Sequence, residues 1–176
     1  MTARPDRWRP CGVEGGGTRN AVTASLLCLV VLAAAGAVGL ATKQPWLFPS
    51  LGPTVMLFFT APKQNASRPV NAFVGHVVAI AVGYGCFITF GLAGTPPAPI
   101  GGLTPAYLAA AAVSVAVTTL VLHLIRLPHP PAGASTLIVS LGILSQPIAL
   151  LDMIGAVALV TLAAWGCNAT LAWWRR

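Results

Sequence analysis

Apolar runs, uncharged but for Asp152, dominate the chain, and polar residues gather in short stretches between them. Four runs, 21–42, 70–94, 104–125 and 149–174, are each 22 residues or longer. They have no polar face. Soluble core helices rarely run past about twenty residues without one, so these runs are predicted to be helices that span a bilayer. Two shorter apolar stretches stand between them, WLFPSLGPTVMLFFT (46–60) and HPPAGASTLIVSLGILS (129–145), each with its prolines near the start. As a pure helix the first would be about 22 Å long, short of the roughly 30 Å hydrocarbon core.

The order long–short–long occurs twice. Shifting the chain by 81 residues lays Pro49 on Pro130 and Gly52 on Gly133, so that Pro-x-x-Gly opens both short elements. Positive charge arbitrates whether those elements cross. With six crossings, Arg4, Arg7, Arg9, Arg19, Lys63, Arg68, Arg126, Arg175 and Arg176 share one side and only Lys43 lies opposite. If both short elements dip in and return, Lys43, Lys63, Arg68 and Arg126 all lie outside. The positive-inside rule favours six crossings with both termini cytoplasmic. Three crossings per half give the halves opposite orientation, the inverted-repeat plan of many transporters. The expected fold is an all-α polytopic transmembrane bundle: four long spans, two short Pro/Gly-broken elements, an inverted 3+3 repeat. Residues 1–20 are expected to be a disordered basic cytoplasmic tail and 21–176 a single transmembrane domain, with halves at about 21–94 and 104–174. Extended backbone covers more distance per residue than helix, so 48–52 and 129–133 are predicted extended, with half-helices from Pro53 and Ala134.

Composition narrows the function. Only 7% of residues are charged and 56% are hydrophobic. The net charge of +7 lies in the tails and at run ends, which reads as topology and not as nucleic-acid binding. The four cysteines, Cys11, Cys28, Cys86 and Cys167, form no CxxC pair and no zinc spacing, and read as small core residues. No nucleophile stands beside a base, so an enzyme is not expected, nor a cofactor, nor a metal.

Irregular backbone at membrane depth must be covered by protein or line a wet cavity. Two half-helix N-termini meeting near the midplane would offer unpaired N–H groups to a small anion. Ser50 and Thr54 on one side, and Ser135 and Thr136 on the other, add hydroxyls, while Gly52 and Gly133 leave room. His129, close to Arg126, is expected at the cytoplasmic mouth. His76 is an intramembrane imidazole, a candidate pore-lining or proton-relay group. The opposing readings are loop capping for His129 and plain helix packing for the proline elements. Asn71 and Asp152 coincide under the 81-residue shift and are candidate clamps between repeats. His123 is expected to reach the interface.

Three stretches, FPSLGPT (48–54), RPVNAFVGH (68–76) and HPPAGAST with LIVSLG (129–142), resemble the motifs of the HPP family of small integral membrane proteins. The family usually shows proline-arginine-asparagine before the Gly-His; here Arg68-Pro69-Val70-Asn71 departs from it. The resemblance implies a helical membrane fold, usually described with four transmembrane segments. It also implies transport, since some plastid and cyanobacterial members are linked to nitrite. The expected function is therefore a transporter or channel for a small inorganic anion, nitrite leading, in the cell (inner) membrane. A non-transporting scaffold or assembly protein is the alternative. Expected partners are the anion, the lipid bilayer and a second copy in a homodimer, with no nucleic acid.

Overall fold

A computed structural model describes residues 17–174. It holds seven helices: α1 (Thr18–Thr42), α2 (Leu51–Thr60), α3 (Pro69–Thr89), α4 (Ala98–Gly101), α5 (Pro105–Leu124), α6 (Ala132–Ser140) and α7 (Pro147–Trp174). No strand occurs among the described residues. Of these helices α1, α3, α5 and α7 are long and apolar enough to cross a membrane. Most of the expected tail, and Arg175 and Arg176, lie outside the described residues. Thr18–Asn20, expected within that tail, are already helical. At the other end of the first half, α3 stops at Thr89 and not at Gly94, because Gly91 and Gly94 both take positive φ.

Punctuation follows elementary backbone chemistry. Pro69, Pro105 and Pro147 each open a long helix, where a missing N–H costs nothing. The helices before the two breaks, α1 and α5, are followed by Lys43 at φ 57° and Arg126 at φ 58°. These are the only non-glycine residues with positive φ among those described, and each stands two residues before a proline.

Both breaks are tighter than expected. The backbone N–H of Leu51 donates to the Phe48 carbonyl at 2.9 Å, and that of Ala132 to the His129 carbonyl at 3.0 Å, two turns exactly one 81-residue shift apart. Helix therefore begins at Leu51 and Ala132, ahead of Pro53 and Ala134. Pro53 fits inside a first turn, and Pro131, at φ −57°, is already preset for helix. Gly52 and Gly133 consequently lie in helices and not in extended chain.

The short elements nonetheless run from one end of the bundle to the other. Asn71 donates to the Pro128 carbonyl at 3.2 Å. Further along α3, Gly75 faces His129, Gly83 faces the Thr136 carbonyl, and Phe87 lies beside Gly142. Residues 128–142 thus run parallel to α3 from Asn71 to Phe87, a helical rise of about 24 Å. Residues 46–58 follow α7 in the same way, from the Trp46 ring at Gly155 to the Phe58 carbonyl, which Asn168 holds at 3.1 Å.

The principal packing pairs are α1 with α2, α5 with α6, α3 with α5, α6 and α7, and α7 with α1 and α2. Exchanging α1–α3 for α5–α7 leaves that set unchanged, as a two-fold repeat requires. The main core, with Val31, Leu51, Val55, Phe58, Phe59 and Met153, lies where α1, α2 and α7 meet.

The close approach of α6 to α3 depends on Gly75, Ala79 and Gly83, small residues one turn apart. A Cβ at Gly83 would stand 2.8 Å from the Thr136 backbone oxygen, whereas at exposed Gly85 it would meet nothing within 4 Å. Gly83→Ala is therefore expected to cost about 1–3 kcal/mol as an overpacked contact. Gly85→Ala should be close to neutral. Thermal unfolding of purified protein in lipid nanodiscs checks the pair, and equal midpoints would contradict the α3–α6 register.

Candidate functional site

The parallel run of α6 along α3 and the turn that starts α2 bring four side chains together inside the bundle. His76, on α3, is fully buried, as are Thr54 on α2 and Ser135 on α6. His76 Nε2 lies 2.9 Å from Thr54 Oγ1, and its Nδ1 lies 2.6 Å from Ser135 Oγ. Thr54 and Ser135 are 81 residues apart, so one imidazole joins equivalent hydroxyls of the two short helices. His129 completes the cluster. Its Nδ1 is 2.8 Å from the Ala66 carbonyl, its Nε2 is 3.4 Å from Thr54 Oγ1, and its ring meets that of His76 edge-on at 5.0 Å.

Donor counting orders the protons. A carbonyl only accepts, so His129 carries its proton on Nδ1 and leaves Nε2 bare. Thr54 has a single hydrogen, with acceptors at the Ser50 carbonyl (2.9 Å) and His129 Nε2. His76 Nε2–H then donates to Thr54, and the Ser135 hydroxyl donates to His76 Nδ1. The reverse order strands the Ser135 hydrogen, which has no second acceptor among the described residues. The two neutral imidazoles are thus opposite tautomers.

His129 enters this cluster through the turn His129-Pro130-Pro131, and the family model named for it, "HPP, transmembrane region", matches residues 14–176. The chain belongs to the HPP family. No curated protein and no solved structure matches it.

Other expected site residues of this HPP protein fall elsewhere. Ser50 stands at the residue before α2, fully buried, and its Oγ makes no capping bond and has no other partner. Thr136 turns away from His76 to Thr118 on α5, at 3.0 Å. Gly52 and Gly133 are half-buried, and an added Cβ would meet nothing within 4 Å at either. The close approaches occur at Gly75 and Gly83 instead. His129 is not at an exposed mouth: it is only 2% exposed, because its ring bonds to the 61–68 loop and packs on His76. His123 is exposed in the last turn of α5. Asn71 does clamp the halves, through the Pro128 carbonyl. Asp152 Oδ2 is buried without a partner and makes no such clamp. Cys28, Cys86 and Cys167 are free and half-buried. Among the described residues no three His, Cys, Asp or Glu side chains gather as a metal's ligands would.

Three features escaped the sequence reading. The Ala66 carbonyl carries no sequence signal at all. The Gly75–Ala79–Gly83 spacing was visible, and small residues every fourth position mark a helix seat. The stripe Ala110, Ser114, Thr118 and Leu122, buried at the same spacing on α5, was visible too.

Removing the His76 ring strands the buried Ser135 hydroxyl, which has no other partner among the described residues, at about 1–3 kcal/mol, and takes one bond from Thr54, which keeps the Ser50 carbonyl. His76→Ala should therefore unfold well below wild type in nanodiscs. Thr54→Val and Ser135→Ala should be non-additive, with a coupling of about 0.5–3 kcal/mol. Strict additivity would show that the imidazole does not link them.

Proposed function

We propose that this HPP protein moves a small inorganic anion across the membrane, with nitrite the leading candidate. It would sit as a multi-pass protein in the cell (inner) membrane with both termini cytoplasmic, where nine of ten basic side chains would then lie. The halves would have opposite orientation, and a second copy would complete a homodimer.

One observation carries the reading. Two helices begin inside the bundle, and hydroxyls from both converge on one buried imidazole. Structure-breaking elements at membrane depth characterise substrate sites in repeat-built transporters. The Ser50 hydroxyl, buried and unpartnered at the start of α2, supplies a donor beside first-turn N–H groups, a combination that favours negative charge. Nitrite is small and monovalent, and such a site needs no charged side chain to hold it.

The scaffold reading also has an observation in its favour. Thr54, His76 and Ser135 touch directly and are fully buried, as a fastener between halves would be. Under the transport reading, that contact is the closed state, and an anion must displace one hydroxyl to pass.

Purified protein in proteoliposomes separates the two. Saturable uptake is expected for nitrite above nitrate, chloride and formate. It should fall at least about tenfold in Thr54→Val, a loss of roughly 1.4 kcal/mol or more. Wild-type uptake in that variant would move the site elsewhere. No uptake of any anion by folded protein would leave the scaffold.

A further inference from the structure

The interface between α5 and α6 carries a run of hydroxyls through its middle, and nothing in the His76 cluster requires it. Thr118 and Thr136 meet at 3.0 Å, and Leu122 packs by Ala132. The helices therefore run antiparallel, and one turn further on Ser114 comes level with Ser140. All four hydroxyl residues are buried. Ser114 spends its hydrogen on the Ala111 carbonyl, and Ser140 Oγ has no partner.

Open space lies at both ends of this seam. At the end where α6 begins, a cavity of about 310 Å³ is lined by Thr118, Thr119, His123, His129 and Gly133. At the other end, Gly142 rests against the Tyr107 hydroxyl, which lies 2.9 Å from Thr95 Oγ1. Cavities of about 510 and 350 Å³ open there on either side of Thr95 and Pro96.

The repeat supplies an internal control. Residues equivalent to Thr136 and Ser140 in α2 are Val55 and Phe59, both fully buried. The face that α1 turns inward is Ala24, Val31 and Ala35. The same helix pairing in the first half thus closes with apolar side chains alone. Hydroxyls cost more to bury than methyl groups unless paired; Ser114, Thr118 and Thr136 are paired, and Ser140 is the one whose burial packing does not explain.

We propose that the α5–α6 seam is the water-accessible path of the transported solute, used in the second half of the repeat only. This rests on the transport reading and carries the route on from the His76 cluster. His129 joins the two regions, with one face on the His76 cluster and the other on the cavity. Serine and threonine hydroxyls can donate to an anion and accept from water, and no carboxylate lines the seam to repel a negative solute.

Cysteine accessibility tests the seam separately from uptake. In protein with Cys11, Cys28, Cys86 and Cys167 replaced by alanine, Thr136→Cys, Ser140→Cys and Val55→Cys are exposed in proteoliposomes to an anionic, membrane-impermeant methanethiosulfonate. Modification of the two seam thiols is expected at least about tenfold faster than at Val55→Cys, since access limits thiol reaction. Nitrite should slow it. Seam thiols as inert as Val55→Cys, in folded protein, would overturn the path even if nitrite uptake is normal. Reactive seam thiols in protein that takes up no anion would support the path while ending the anion reading.

Discussion

Backbone that stops being helical inside a bilayer must find its hydrogen-bond partners within the protein. The rest of this structure depends on that constraint. Two short helices, α2 and α6, begin inside the bundle after non-helical chain, which leaves carbonyls to be met there. Several are met by specific groups. Phe48 and His129 carbonyls close turns with Leu51 and Ala132. The Pro128, Phe58 and Ala66 carbonyls accept from Asn71, Asn168 and His129. Ser67 Oγ lies 2.6 Å from the Ala61 carbonyl and 3.1 Å from that of Leu57. Four buried polar side chains, Ser67, Asn71, His129 and Asn168, are thus placed where such carbonyls need a donor.

His76 is different, because it serves side chains and not backbone. Its imidazole touches Thr54 of one half and Ser135 of the other, so it measures the separation of two elements that the repeat makes equivalent. Its own equivalent is Val157, and that of His129 is Phe48. The frame is two-fold, while its chemistry is concentrated on one arrangement of α2, α3 and α6. The hydroxyl seam between α5 and α6 shows the same division. Where α6 carries Thr136 and Ser140, the positions of α2 one 81-residue shift away carry buried Val55 and Phe59.

Much of the fold was legible because the signals were physical and long. Four long apolar runs, with Asp152 their one charged residue, read as spanning helices, and the prolines at 49, 53, 130 and 131 pointed to breaks. That Thr54 and Ser135 face one another followed less directly, from the repeat, and His76 stood out as an imidazole among apolar neighbours; His129 was expected at the cytoplasmic mouth and not in this cluster. Exact helix starts were missed because a proline tolerated in a first turn looks, in sequence, like one that precedes the helix. Residues 48–52 and 129–133 were expected to be extended for the same reason, whereas Gly52 and Gly133 lie in the first turns of α2 and α6. The partner of His129 was beyond reach, since any residue can supply a carbonyl.

The most direct test of the bridge is the protonation pattern of its two rings, read by nitrogen-15 NMR of histidine-labelled protein in lipid bilayers. Single His76→Gln, His123→Gln and His129→Gln samples would assign the signals. The account predicts two neutral imidazoles in opposite tautomers, with the proton of His76 on Nε2 and that of His129 on Nδ1. The same tautomer at both, or a His76 ring exchanging freely between the two, would contradict a fixed link from Thr54 through His76 to Ser135.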